Sequence, residues 1–111
     1  MRPILSPGSD CTEGCPVSRA ADVIGGKWTT QIVRDLLGGT KRYTELQHGL
    51  LGISPKVLAQ RLRMLEAEGL VTRKVYPTVP PKTEYTLTPV GRAVEPVIHA
   101  MAAFGETLAA A

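Results

Sequence analysis

The chain has 111 residues, 43% of them hydrophobic, and its 13 basic and 10 acidic residues give a formal charge of +3. That length suits one domain around a single core, and no apolar run approaches the ~18 residues of a membrane span. Two cysteines and an N-terminus with no apolar signal stretch argue against a disulfide framework and for a reducing, cytoplasmic setting.

In chain order, residues 1–14 carry Pro3, Pro7, Gly8 and Gly14 and read as an arm, ahead of one domain over 15–111. Pro16 suits a first helical position, and Val17, Ala20, Ala21 and Ile24 predict a short amphipathic helix that stops at Gly25-Gly26. Trp28, Ile32, Val33, Leu36 and Leu37 predict a second helix with its apolar side turned inward, closed by Gly38-Gly39. Thr40 to Arg42 read as a short basic turn. Thr44 is expected to cap a third helix through Glu45, Leu46 and Leu50, closed by Gly52. Ser54-Pro55 is a strong helix start, and the helix it opens runs to Glu68 and stops at Gly69.

Beyond Gly69 the apolar period changes from 3.6 to 2. Leu70–Tyr76 and Lys82–Leu87 read as two strands, with Pro77, Pro80 and Pro81 stiffening the tip between them. Thr88-Pro89 repeats the cap-and-proline start, so a last helix is expected over about 88–109 with a kink near Val94–Glu95, because Pro96 lies inside it. Three compact helices with a tight final turn, then a two-stranded wing, then a long helix, make a mainly α winged helix-turn-helix with a small β-hairpin.

Charge is unevenly spread along these elements. Between Lys41 and Lys82 lie eight basic and three acidic residues, a net +5, which leaves −2 for the rest. Such a block suits a polyanion. On the Ser54 helix, Leu58, Leu62 and Leu65 mark the core face, while Lys56, Gln60 and Arg63 recur on the other side with no acid before Glu66. In a helix-turn-helix that outer side enters the major groove. There Lys56 and Arg63 can reach guanine acceptors or phosphates, and Gln60 can bond adenine twice. Ser54 and Pro55 open the helix, whose first-turn N–H groups suit a phosphate. Arg61, nearer the core edge, is expected to grip backbone. Arg73, Lys74 and Lys82 on the wing, and Lys41, Arg42 and Thr44 around the turn before the third helix, are expected to face the same duplex. A solvated polar face is the plain alternative for the helix stripe.

Cys15-Pro-Val, Ile24-Gly-Gly-Lys-Trp28, Gly52-Ile-Ser-Pro-Lys-Val-Leu58, Glu68-Gly-Leu-Val71 and Val79-Pro-Pro-Lys-Thr-Glu-Tyr85 together resemble the HxlR-type winged helix-turn-helix regulators, relatives of the MarR type. The resemblance runs from about Cys15 to Gly105. It implies a bacterial-type cytoplasmic homodimer that binds operator DNA, commonly as a repressor, with the Ser54 helix as recognition helix and the hairpin as wing. It also implies a dimer contact through the terminal helices. The residues agree with that: Val94, Val97, Ile98, Met101, Phe104 and Leu108 form more apolar surface than a core of this size covers. Two-fold symmetry would set the recognition helices about one DNA turn apart, ~34 Å, on an inverted repeat.

Cys15 is expected at the N-cap of the first helix, where free N–H groups and Arg19 favour the thiolate. It is therefore a candidate sensor thiol, with Cys11 as resolving partner; an inert half-buried cysteine is the alternative. In some relatives the cysteine of the Cys-Pro pair responds to oxidants. Cys11, Cys15, His48 and His99 match no zinc spacing, no Gly-rich phosphate loop follows a strand, and no cofactor is expected. An enzyme using Cys15 lacks a general base close by in sequence. A winged helix serving only as a protein-docking module remains the alternative to specific DNA readout. Operator sequence, inducing signal and any small-molecule effector are not legible.

Overall fold

In the computed structural model of the chain, residues 14–110 are described, with side chains through Leu108. The expected arm and Cys11 fall outside them, except for Gly14.

The element order is α1 (Pro16–Ile24), α2 (Thr29–Leu37), β1 (Lys41–Arg42), α3 (Tyr43–Gly49), α4 (Pro55–Ala67), β2 (Val71–Tyr76), β3 (Lys82–Leu87), α5 (Pro89–Arg92) and α6 (Glu95–Ala110). The fold is the expected winged helix-turn-helix, with differences in detail. Thr40–Arg42 is not simply a turn: Lys41 and Arg42 pair antiparallel with Tyr85 and Glu84, so the sheet has three strands in the order β1-β3-β2. A two-residue strand has no pattern of its own and exists through its partner. Arg42, not Thr44, caps α3; its N–H donates to Glu45 Oε1 at 2.8 Å, and Thr44 lies inside the first turn. Trp28, expected inside α2, is its half-buried N-cap residue, and its carbonyl accepts from Ile32 N–H at 3.0 Å.

The last helix does not run on with a kink. It breaks into α5 and α6 around Ala93 and Val94. Pro96 has no N–H to bond the Arg92 carbonyl across the break, and α5 is held by contacts of its own. Thr88 Oγ1 donates to the Gly69 carbonyl at 2.6 Å and accepts from Gly91 N–H at 3.1 Å. A Cβ on Gly91 would strike the Leu70 carbonyl oxygen and sit 2.9 Å from Leu87 Cδ2. One helical turn is thus bolted to the root of the hairpin, and α6, which follows it, packs on α2.

The core gathers Ile32, Val33 and Leu36 of α2, Leu46 and Leu50 of α3, Leu58, Leu62 and Leu65 of α4, and Tyr85 and Leu87 of β3. The α4 leucines are 0–1% exposed, and burial of each stabilises by about 1.5–3 kcal/mol. Rolling α4 over to hide its cations forfeits all three. Its C-terminus is closed as firmly: Gly69 takes φ +81°, Leu70 N–H reaches the Leu65 carbonyl at 2.9 Å, and Gly69 N–H reaches that of Glu66 at 3.1 Å. This paired closure needs a residue that tolerates positive φ, and glycine does so without strain.

Candidate nucleic-acid interface

Helices α3 and α4 with the turn between them form the helix-turn-helix. Ser54 Oγ accepts from Val57 N–H at 3.1 Å, and Pro55 occupies the first helical position, so α4 begins where its sequence signals it. Tyr43 Oη donates to the Pro55 carbonyl at 3.0 Å. This bond ties the first turn of α3 to the first turn of α4. With the leucines fixing the opposite side, Lys56, Gln60 and Arg63 are left exposed along one face. Arg61 is turned away from that face. Its Nε is buried with no hydrogen-bond partner, close to Gly26 and Thr29 at the α1–α2 turn. Its position about 140° round the helix from Lys56 explains this; the core edge here is protein, not open groove.

Pairing on the three-stranded sheet sorts the remaining cations into two rows. Lys41, Tyr85 and Arg73 lie across from one another on the face that carries the buried Tyr85. Arg42, Glu84 and Lys74 form the neighbouring row, and alternation of side chains puts it on the opposite face. There Tyr76 Oη donates to Glu84 Oε1 at 3.0 Å, and Lys74 Nζ stands 4.9 Å from the Tyr76 ring centre. Lys82 pairs with Tyr76 and belongs to the same face. Of the three wing cations, Arg73 joins the α4 side. It lines one concavity with Ala59, Arg63, Glu66 and Tyr85. This differs from the sequence expectation that all wing charges and the helix stripe face one way. Arg42, Thr44 and Lys82 instead line a cleft between the wing tip and the start of α3.

The residues expected at a dimer contact divide as well. Val94 and Ile98 are half-buried against the core, whereas Val97, Met101, Phe104 and Leu108 are 41–64% exposed. No α1 residue is buried, and Val17, Ala20 and Ala21 line one surface depression with Met101 of α6. The apolar sides of α1 and α6 are therefore continuous. Cys15 is the half-buried N-cap residue of α1, and its carbonyl accepts from Arg19 N–H at 2.9 Å. His48 is exposed on α3, and His99 sits 3.4 Å from Glu95. Among the described residues, no three His, Cys, Asp or Glu side chains gather as a metal site, and no helix is long and apolar enough to cross a membrane.

Residues 23–111 match the family model described as HxlR-like helix-turn-helix. The chain belongs to that family. This HxlR-like protein is 45% identical over 95 residues to the HTH-type transcriptional regulator YybR of Bacillus subtilis (strain 168), covering 86% of the chain and 76% of YybR. Among solved structures it is similar to a protein of Porphyromonas gingivalis W83 described as a MarR-family transcriptional regulator. There the TM-score is 0.84 at 41% identity, over 88% of this chain and 96% of that one. It is also similar to the redox regulator HypR in its oxidised form, with TM-score 0.77 and 44% identity over 84% of this chain and 96% of HypR. The HxlR-like chain is a helix-turn-helix transcriptional regulator.

Three residues of its candidate interface were not singled out in the sequence. Tyr43 joins the two helices of the motif, Glu66 faces Arg73 at 3.6 Å, and Tyr85 floors the concavity between α4 and the wing. Burial raises the Tyr85 phenol above its usual pKa, and the nearby Arg73 charge only partly opposes the shift. The Arg63-to-Glu66 spacing of three is the one signal that could have put Glu66 on the reading side.

Proposed function

We propose that this HxlR-like regulator binds double-stranded DNA sequence-specifically, as a cytoplasmic homodimer on an inverted repeat, and represses transcription from it. The observation that carries the proposal is the exposed line of Lys56, Gln60 and Arg63 on a helix whose other side is pinned by Leu58, Leu62 and Leu65. Arg63 and Gln60 have the donor geometry for guanine and adenine edges, and Lys56 near the helix start meets a phosphate or a guanine. Arg73 adds a cation on the same side. Lys82, Arg42 and Thr44 line the cleft beside the wing tip, where a phosphate strand flanking the groove would run. The continuous apolar surface of α1 and α6 supports pairing through the terminal helices, and such a pair would present two recognition helices to half-sites about one turn apart.

Control by thiol oxidation belongs to the same proposal. Cys15 heads α1, next to the proposed dimer surface, and the similarity to a redox regulator agrees with a sensor there. A thiol oxidant would take two electrons and two protons from Cys15 and Cys11, within or between subunits, leaving a disulfide. The test is fluorescence anisotropy with the inverted repeats upstream of the regulator's own gene and with random duplex, before and after diamide. Tighter binding to one repeat than to random duplex is expected, together with an oxidant effect that Cys15→Ser removes. Equal affinity for all duplexes at moderate salt refutes specific readout.

A further inference from the structure

The concavity between α4 and β2 brings four functional groups together. It is lined by Ala59, Arg63, Glu66, Arg73 and Tyr85 and holds about 200 Å3. Arg63 and Glu66 stand three residues apart on α4 and so share a side of the helix. Arg73 enters from the wing, across from Tyr85 in the sheet register. Glu66 Oε1 lies 3.6 Å from Arg73 Nε, which is an ion-pair distance but longer than a good hydrogen bond. The two side chains are 38% and 49% exposed. A pair this open and this loose is weak, since water screens it and both chains keep their freedom.

An acid in this place is unexpected on a surface that otherwise collects cations. It repels any phosphate that approaches the α4–wing cleft. It also engages the one wing arginine on the reading side. A phosphate, with several oxygens to meet the guanidinium fork, is the better partner for that arginine. The carboxylate holds its place only while no phosphate is pressed into the cleft.

Resting on the DNA-binding function proposed above, we infer that Glu66 stands in for a DNA phosphate: it occupies Arg73 in the free protein and is displaced when a duplex is fully seated on α4. The carboxylate thereby weakens binding to duplex that cannot seat the helix. Non-specific complexes depend almost wholly on charge, so they are penalised most. A preferred site is penalised less, because base contacts hold α4 in the groove while the exchange occurs. Glu66 is thus a specificity-determining residue that touches no base.

The test compares wild type, Glu66→Gln, Arg73→Gln and the double variant, each at several salt concentrations, on a random duplex and on the preferred inverted repeat. Both positions are open to solvent, and thermal melts followed by circular dichroism verify that each variant is folded. Glu66→Gln is expected to bind random duplex roughly 1.5- to fivefold more tightly, the scale of one released surface ion pair. Its salt dependence on that duplex should steepen by about 0.9 in log–log slope, as for one further phosphate contact. The gain on the preferred repeat should be smaller, so the specificity ratio narrows. In the Arg73→Gln background most of the gain should vanish. Unchanged affinity and slope in Glu66→Gln overturn the inference. So does weakening to the Arg73→Gln level, which makes Glu66 a mere strut for the arginine. A wild-type chain that binds no duplex overturns the DNA-binding proposal itself, whereas wild-type binding with an inert Glu66→Gln overturns only the role given to Glu66.

Discussion

Phe104→Ala tests the proposed pairing of two copies with a magnitude that the structure sets. The ring is 64% exposed on α6, although full burial of such a side chain is worth about 1.5–3 kcal/mol. Covering the exposed two-thirds at an interface therefore contributes about 1–2 kcal/mol per copy. A two-fold contact counts every substitution twice, so the loss is about 2–4 kcal/mol and the dissociation constant rises roughly 30- to 700-fold. Sedimentation equilibrium over a wide concentration range measures it. Leu51→Ala is the control, since Leu51 is 88% exposed on the turn before α4 and does not line the depression that α1 shares with Met101. Because Phe104 is largely outside the monomer's core, the thermal unfolding of dilute, monomeric protein should hardly change. A dissociation constant that moves less than about threefold, or moves equally for Leu51→Ala, refutes pairing through α6.

Arg63→Ala should cost about 1–3 kcal/mol on the preferred repeat and relax base preference at one position, while Lys56→Ala, if its partner is a phosphate, should lower the salt slope by about one unit on every duplex; anisotropy titrations separate the two. Gly91→Ala should destabilise the fold by about 1–3 kcal/mol, because the new methyl meets the Leu70 carbonyl and the Leu87 side chain, and urea unfolding at neutral pH reads this directly. Tyr85 should make the fold sensitive to alkali. Its folded pKa is raised by burial, so the native state keeps a proton that the unfolded chain releases at about pH 10. Stability from this source is complete below that pH and is lost as pH rises through it toward the folded pKa. Urea midpoints should accordingly fall more steeply above about pH 10 for wild type than for Tyr85→Phe.

Local signals carried most of the helical plan. The Ser54-Pro55 and Thr88-Pro89 starts, the Gly69 stop and the leucine spacing of α4 each act within a few residues, and each is realised at its place. What escaped depends on distant partners. β1 exists only because β3, more than forty residues on, supplies its hydrogen bonds. Pro96 announced an interruption near Val94, but the docking of Gly91 on Leu70 and Leu87, which sets α5 apart as a separate turn, is a contact that no periodicity encodes. The side taken by Lys74 was within reach. Once Tyr85 is assigned inward, the hairpin register sends Arg73 with it and Lys74 the other way. The burial of Arg61 Nε was not: it follows from how the α1–α2 turn lies across α4.

The interruption at Ala93 and Val94 separates two mechanical duties. Just before it, α5 is fixed to the root of the hairpin by the Thr88 and Gly91 attachments, while α6 beyond it packs on α2 and carries the exposed Val97, Met101, Phe104 and Leu108. In the proposed dimer, the angle at this joint and the register along α6 would act as a caliper for the gap between the two reading heads. Sliding the partners by one helical turn shifts them by about 5.4 Å, more than one base-pair step of about 3.4 Å. Operator spacing could then drift in evolution through residues of the joint and the seam, with every base-contacting side chain unchanged.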